Sequence, residues 1–275
     1  METIFIEHKQ SLVEVLSQKG GEEVLIMFHG FGDKAQLFAP LFEVLKPKFT
    51  VYAISLPYHG KTNWKPDIFT KEDISALIEA ILQRENQSRF SLWGYSLGGK
   101  IVLSMVEIFA NRLNSLYLFA PDGIKTHPLY DTSRLPMWFL RLARTLMKSP
   151  SIFFAMAKVG FRWGLLSSFL YEFTLNHFQT AEQRRRFFSV SRSIKHFSPN
   201  IPYVQSLLNR YRITTELYYG MRDEVILLEG GEEFVQKVPH ARLIKLEKGH
   251  LLIDEDLSRL LQANIEKQMI QRTNL

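Results

Sequence analysis

The sequence predicts an α/β fold, with a mostly parallel central sheet, helices on both faces and an inserted helical cap. Apolar runs of strand length recur along the chain, each leading into a stretch with helical spacing, the rhythm of a parallel sheet covered by helices. Between residues 121 and 210 that rhythm gives way to sequence rich in Phe, Trp and Arg with almost no strand pattern. One serine, Ser96, stands between glycines in LWGYSLGG, where an expected strand meets an expected helix.

The elements follow in order. ETIFIEHKQSLVEVLSQKG reads as two strands around a polar turn. Residues 24–28 form a wholly apolar run, as a strand buried on both faces requires, and the run leads into HGFGD. Residues 49–56 repeat that pattern. Residues 71–83 carry helical spacing through Ile74, Leu77, Ile78 and Ile81. A strand over 90–93 and a helix over 97–109, with Ile101, Met105 and Ile108 on one side, then bracket Ser96. Further strands are expected over 116–119, 216–219 and 242–246.

At 275 residues, the chain suits one large domain with an insertion better than two independent ones. The expected division is a core of residues 1–120 and 211–275 and a helical cap of residues 121–210. Hydrophobic residues at 46% and charged ones at 23% are ordinary for a globular protein and exclude disorder. The absence of Cys excludes a disulfide scaffold, a thiol nucleophile and a Cys-ligated metal. METIFIEHKQ lacks the order of a signal peptide, so a cytoplasmic protein is expected.

A serine hydroxyl is a weak nucleophile at neutral pH and needs an adjacent base, usually a histidine oriented by a carboxylate. Asp223 in YYGMRDEV and His250 in LEKGHLL each fall just past an expected strand, where ligands bind in open α/β sheets. Asp122 in FAPDGI also follows a strand and is the rival acid. Asp33 with Gln36 has the spacing of a helix capping box and is read as structural. His29 and His59 are read as loop-shaping and His240 as surface. No HExxH or other metal-ligand spacing occurs, and GYSLGG lacks the longer turn of a phosphate loop.

HGFG, SLPYHGKT, GYSLGG, GMRDEV and KGHLL together resemble the α/β-hydrolase superfamily, in particular its capped, lipase- and esterase-like branch. The resemblance runs over residues 24–121 and 212–275. It implies the chain order nucleophile, acid, histidine, met here by Ser96, Asp223 and His250. It also implies an oxyanion hole formed by two backbone N–H groups, those of Phe31 and Leu97. Relatives that open epoxides or dehalogenate carry Asp at the nucleophile position, so Ser96 argues against both. The expected activity is hydrolysis of an ester, thioester or related carbonyl substrate without a cofactor. Carbon–carbon bond hydrolysis or lyase chemistry on the same residues, and a hydrolase-like ligand receptor with little turnover, are the alternatives.

Residues 121–210 hold 13 basic and 4 acidic side chains, so the whole net charge of +6 arises there. A first helix over 135–148 would set Trp138, Leu142 and Leu146 on one side and Arg141, Arg144 and Lys148 on another. SIFFAMAKVGFRWGLLSSFLYEF is strongly apolar, yet Lys158, Arg162 and Glu172 make it a poor membrane span. Two helices lining an apolar pocket are expected, and with them a hydrophobic acyl or aromatic group in the substrate. The charge is either a solvated face or a contact with an acidic substrate or an anionic membrane surface. No reader motif accompanies it, so nucleic acid is not expected.

Overall fold

Eight strands lie side by side in the order β1-β2-β4-β3-β5-β6-β7-β8. They are β1 (Glu2–His8), β2 (Ser11–Gln18), β3 (Glu23–Phe28), β4 (Phe49–Ile54), β5 (Phe90–Tyr95), β6 (Leu113–Phe119), β7 (Thr214–Gly220) and β8 (Arg242–Leu246). The computed structural model describes residues 1–127, 145–147, 149–166 and 168–273. β1 and β2 form an antiparallel hairpin and β2 runs antiparallel to β4. Every other pairing, from β4 through to β8, is parallel.

The strand sequences explain their places. β4 and β5 are buried throughout, as strands covered on both faces must be, whereas β1 alternates between exposed and half-buried positions and takes the edge. Aromatic rings tie the middle of the sheet together. Trp93 stacks on Phe119 at 4.0 Å between ring centres, and Phe119 on Tyr218 at 4.3 Å, which links β5, β6 and β7.

After β3 the chain makes a short 3₁₀ turn over Ala35–Leu41 and one helical turn, α1 (Phe42–Leu45). Helix α2 (Lys71–Glu85) begins at a capping box in which Thr70 and Asp73 satisfy each other's backbone N–H groups. It buries Ile74, Leu77, Ile78 and Ile81, the stripe expected from the sequence, and stops at Asn86 in the left-handed conformation. Helix α3 (Leu97–Phe109) is buried on nearly every side. It packs against β5 on one side and α7 on another.

Between β6 and β7 come four described helices, α4 (Pro150–Arg162), α5 (Ser168–His177), α6 (Ala181–Ser193) and α7 (Ile201–Tyr211). The helix expected over 135–148 falls outside the described residues except at 145–147. Pro150 opens α4, Thr180 caps α6 and Asn200 caps α7. The inner sides of α4, α5 and α6 meet in a cluster of rings, Phe153, Phe173, Phe178 and Phe187, that reaches Phe31 below. Aromatic side chains therefore line the inner faces of these helices, where the sequence suggested an apolar pocket. Two last helices, α8 (Leu228–Lys237) and α9 (Glu255–Thr273), follow β7 and β8. Among the described residues no helix is long and apolar enough to cross a membrane.

Candidate active site

Strand order reverses at β3, which has β4 on one side and β5 on the other. In an open α/β sheet such a switch point leaves a crevice at the strand C-terminal ends. Ser96 follows β5 directly at φ 52°, ψ −118°, a conformation that costs a side-chain-bearing residue roughly 1–3 kcal/mol. Its neighbours hold it there. The Ser96 N–H donates to Phe119 O at 2.9 Å, and its carbonyl accepts from Gly99 N at 2.8 Å and Asp122 N at 2.9 Å.

The glycines permit the turn by their lack of bulk. A Cβ on Gly98 would lie 2.0 Å from Phe28 O, and one on Gly94 would lie 2.6 Å from Gly98 O. β5 and α3 can close on each other only with both side chains absent.

Asp223 and His250 arrive from loops that are joined to each other. Met221 N donates to Leu246 O and Arg222 N to Lys248 O, while a Cβ on Gly220 would meet Gly249 O at 2.2 Å. That approach brings His250 Nδ1 within 2.8 Å of Asp223 Oδ2 and His250 Nε2 within 2.9 Å of Ser96 Oγ. A carboxylate only accepts, so Nδ1 carries the proton and Nε2 is left to accept from the Ser96 hydroxyl. The other Asp223 oxygen, Oδ1, accepts from the N–H groups of Val225 and Ile226, and its side chain is closed to solvent. Tyr95 donates to the His250 carbonyl at 3.2 Å and fixes the loop from below.

Asp122, the rival acid, is engaged elsewhere. Its Oδ1 accepts from Thr126 Oγ1 at 2.7 Å, and its Oδ2 lies 3.5 Å from Lys100 Nζ.

The HGFG loop stands over Ser96. A Cβ on Gly30 would lie 3.3 Å from Ser96 Cβ. The N–H groups of Phe31 and Leu97 have no acceptor among the described residues, and Leu97 opens α3, where first-turn N–H groups have no partner within the helix. Two neutral histidines shape the loop. His29 Nδ1 donates to Gly30 O and its Nε2 accepts from Leu56 N; His59 Nδ1 donates to Pro57 O and its Nε2 accepts from Gly32 N at 3.1 Å. Burial holds His29 down at about 4 and His59 well below the ordinary histidine range.

Asp33 is not a helix cap. The turn that follows starts one residue later, at Lys34, whose ammonium has no acceptor to cap with, and Gln36 donates to Glu14 Oε1. The Asp33 carboxyl turns toward Gly30 instead, and burial raises it to about 6 against the opposing pull of His250. Sequence reasoning also missed Tyr95, Gly220 and His177. The His177 ring, on α5, fills the space beside Gly32, its Cε1 lying 2.2 Å from where a Cβ would stand. Among the described residues no group of three or more His, Asp or Glu side chains is placed to hold a metal ion.

The arrangement can deprotonate a serine hydroxyl, carry its proton on an imidazole and donate to an oxyanion through two N–H groups. Comparison with known proteins agrees with the architecture. The family model described as alpha/beta hydrolase fold matches residues 23–257. A Bacillus subtilis protein described as the uncharacterized hydrolase YugF is 24% identical over 243 residues, covering 86% of this chain and 87% of its own length. An esterase from Thermogutta terrifontis superposes with a TM-score of 0.70 at 17% identity, covering 98% of both chains. A carboxylesterase structure from Nitrososphaera gargenis gives 0.68 at 17% identity over 99% of this chain and 100% of its own. The chain belongs to the alpha/beta hydrolase fold family.

Proposed function

We propose that the protein is a serine hydrolase that cleaves an ester, thioester or related carbonyl substrate bearing a hydrophobic acyl or aromatic group. The observation that carries this is the continuous chain from Ser96 Oγ through His250 to Asp223, with contacts of 2.9 and 2.8 Å. Ser96 Oγ attacks the carbonyl carbon as its proton passes to His250 Nε2. The N–H groups of Phe31 and Leu97 stabilise the oxyanion. His250 returns the proton to the leaving group, and an acyl group remains on Ser96. Water, deprotonated by His250, then releases the acid. Asp223 keeps the imidazole in the tautomer that accepts and steadies its charge once protonated.

Residues 121–210 act as the cap of this site, with α5 and α6 above the HGFG loop. Phe31, Phe173 and Phe187 would meet the apolar part of the substrate there. Steady-state hydrolysis of p-nitrophenyl esters, from acetate to dodecanoate, tests the reading. A Ser96-dependent rate that peaks at one chain length is expected, whereas Ser96→Ala matching the wild-type protein at every length would overturn it.

A further inference from the structure

Arg186 projects from α6, and among the described residues its only ion pair is a long one to Glu182. Its side chain is 19% exposed, and its Nε is sealed from solvent with no hydrogen-bond acceptor. Among the described residues, the carboxylate nearest to it as an ion pair is Glu182 Oε1, at 4.0 Å on a side chain 82% exposed. A guanidinium has five N–H donors and stays charged, so a donor buried without an acceptor is unfavourable and its terminal nitrogens have capacity for a further anion.

The same side chain lines a cleft of about 620 Å³ with Gly32, Asp33, Lys34 and Lys61. Glu14, the other acid in that wall, is engaged by Ser55, Gln36 and the Lys61 N–H. Through Gly32 the cleft comes within two residues, at most about 7 Å of chain, of Gly30, which abuts Ser96.

We propose that Arg186 binds an anionic group, carboxylate or phosphate, carried by the substrate whose carbonyl is attacked at Ser96. The inference rests on the serine hydrolase reading and narrows its substrate class. The planar fork of a guanidinium pairs two oxygens of either anion at once. Lys34 and Lys61 add positive charge at the mouth of the cleft.

Two measurements test it. First, mono-p-nitrophenyl glutarate is compared with p-nitrophenyl valerate, which has the same carbon count and no charge. The wild-type protein should favour the anionic ester in kcat/KM by about tenfold or more. Arg186→Gln should erase that preference while its valerate rate stays within about threefold, and Arg186→Lys should retain part of it. Equal losses on both esters, or a wild-type protein that disfavours the anion, would overturn the proposal.

Second, thermal unfolding with glutarate or inorganic phosphate needs no turnover. Glutarate should raise the midpoint of the wild-type and Ser96→Ala proteins but not of Arg186→Gln, and the phosphate arm separates the two anions. No shift with either anion would overturn it. A glutarate shift without Ser96-dependent hydrolysis of any ester would sink the hydrolase reading and leave the anion site standing.

A different observation carries a second inference. Ile152, Met156 and Val159 form an exposed stripe along α4 at helical spacing, continued by Trp163 and Leu165 at 76% and 72% exposure. Single exposed apolar residues are common, but a contiguous patch marks an interaction surface. Lys158 and Arg162 are exposed along its flank, in the segment that holds the chain's basic excess. We infer that this stripe docks on a membrane surface containing anionic lipid, with Trp163 at the headgroup level.

Co-sedimentation with phosphatidylcholine vesicles, with and without 30% phosphatidylglycerol, tests it. Binding only to the anionic vesicles, weakened by salt and lost in Trp163→Ser/Leu165→Ser, is expected. Equal binding to both vesicles, or none, contradicts it. A dimer that the same double substitution dissolves would assign the stripe to a second copy of the chain instead.

Discussion

Asp223 grips His250 at 2.8 Å through one carboxylate oxygen while its other oxygen is held by two N–H groups of its own loop. Both ends of the contact are therefore fixed before any substrate arrives. Asp223→Asn should cut kcat on a p-nitrophenyl ester by several orders of magnitude, about 10³-fold or more, because an amide can favour the wrong histidine tautomer. Asp122→Asn should cost less than about tenfold, since that carboxylate serves Thr126 and Lys100. The reverse ranking would reassign the acid.

The turn at Ser96 depends on Gly98, whose missing side chain lets α3 touch Phe28 O. Gly98→Ala should destabilise the protein by about 2–4 kcal/mol, read from urea unfolding, because the clash is with backbone that cannot rotate away. A loss below about 0.5 kcal/mol would mean that the elbow is looser than the structure shows.

Gly32 combines a φ of +83° with the His177 ring in its side-chain space. Gly32→Ala should lower stability, and adding His177→Ala should recover the steric part. About 1 kcal/mol should remain from the left-handed backbone. Full recovery in the double variant would show that the backbone there relaxes freely.

Acid should weaken the fold through His29 and His59. Their folded values lie below that of the unfolded chain, so between about pH 6.5 and 4 the unfolded state binds more protons and stability falls as pH falls. His29 alone accounts for about 3 kcal/mol at the acid end. Asp33, raised to about 6, works in the opposite direction as pH drops through 6 and offsets part of the loss. Chemical unfolding at pH 7 and pH 4.5 should show the decline, with a smaller one in His29→Gln.

Much of this was legible in the sequence because it is local. The apolar runs and helical spacing located β4, β5, α2 and α3 within a few residues, and β5, β7 and β8 deliver Ser96, Asp223 and His250 just past their ends. Asp33 shows why local spacing fails. Its Asp-x-x-Gln pattern is a cap signal, but Glu14, 22 residues before Gln36, takes the glutamine away. The packing of His177 on Gly32 and the burial of the Arg186 Nε arise from how distant segments meet, which no window of sequence contains. Two of the acidic residues that follow Asp223 in the sequence have a plain account in the fold. Glu232 pairs with Lys245 and Glu233 with Lys125 on an exposed face.

The central claim is that Ser96 becomes acylated. Stopped-flow release of p-nitrophenol, with enzyme at a concentration comparable to the product detected, tests it most directly. A rapid burst equal to the number of enzyme molecules, absent in Ser96→Ala, is the expected result. Release from the wild-type protein that matches Ser96→Ala in amplitude and rate would contradict it.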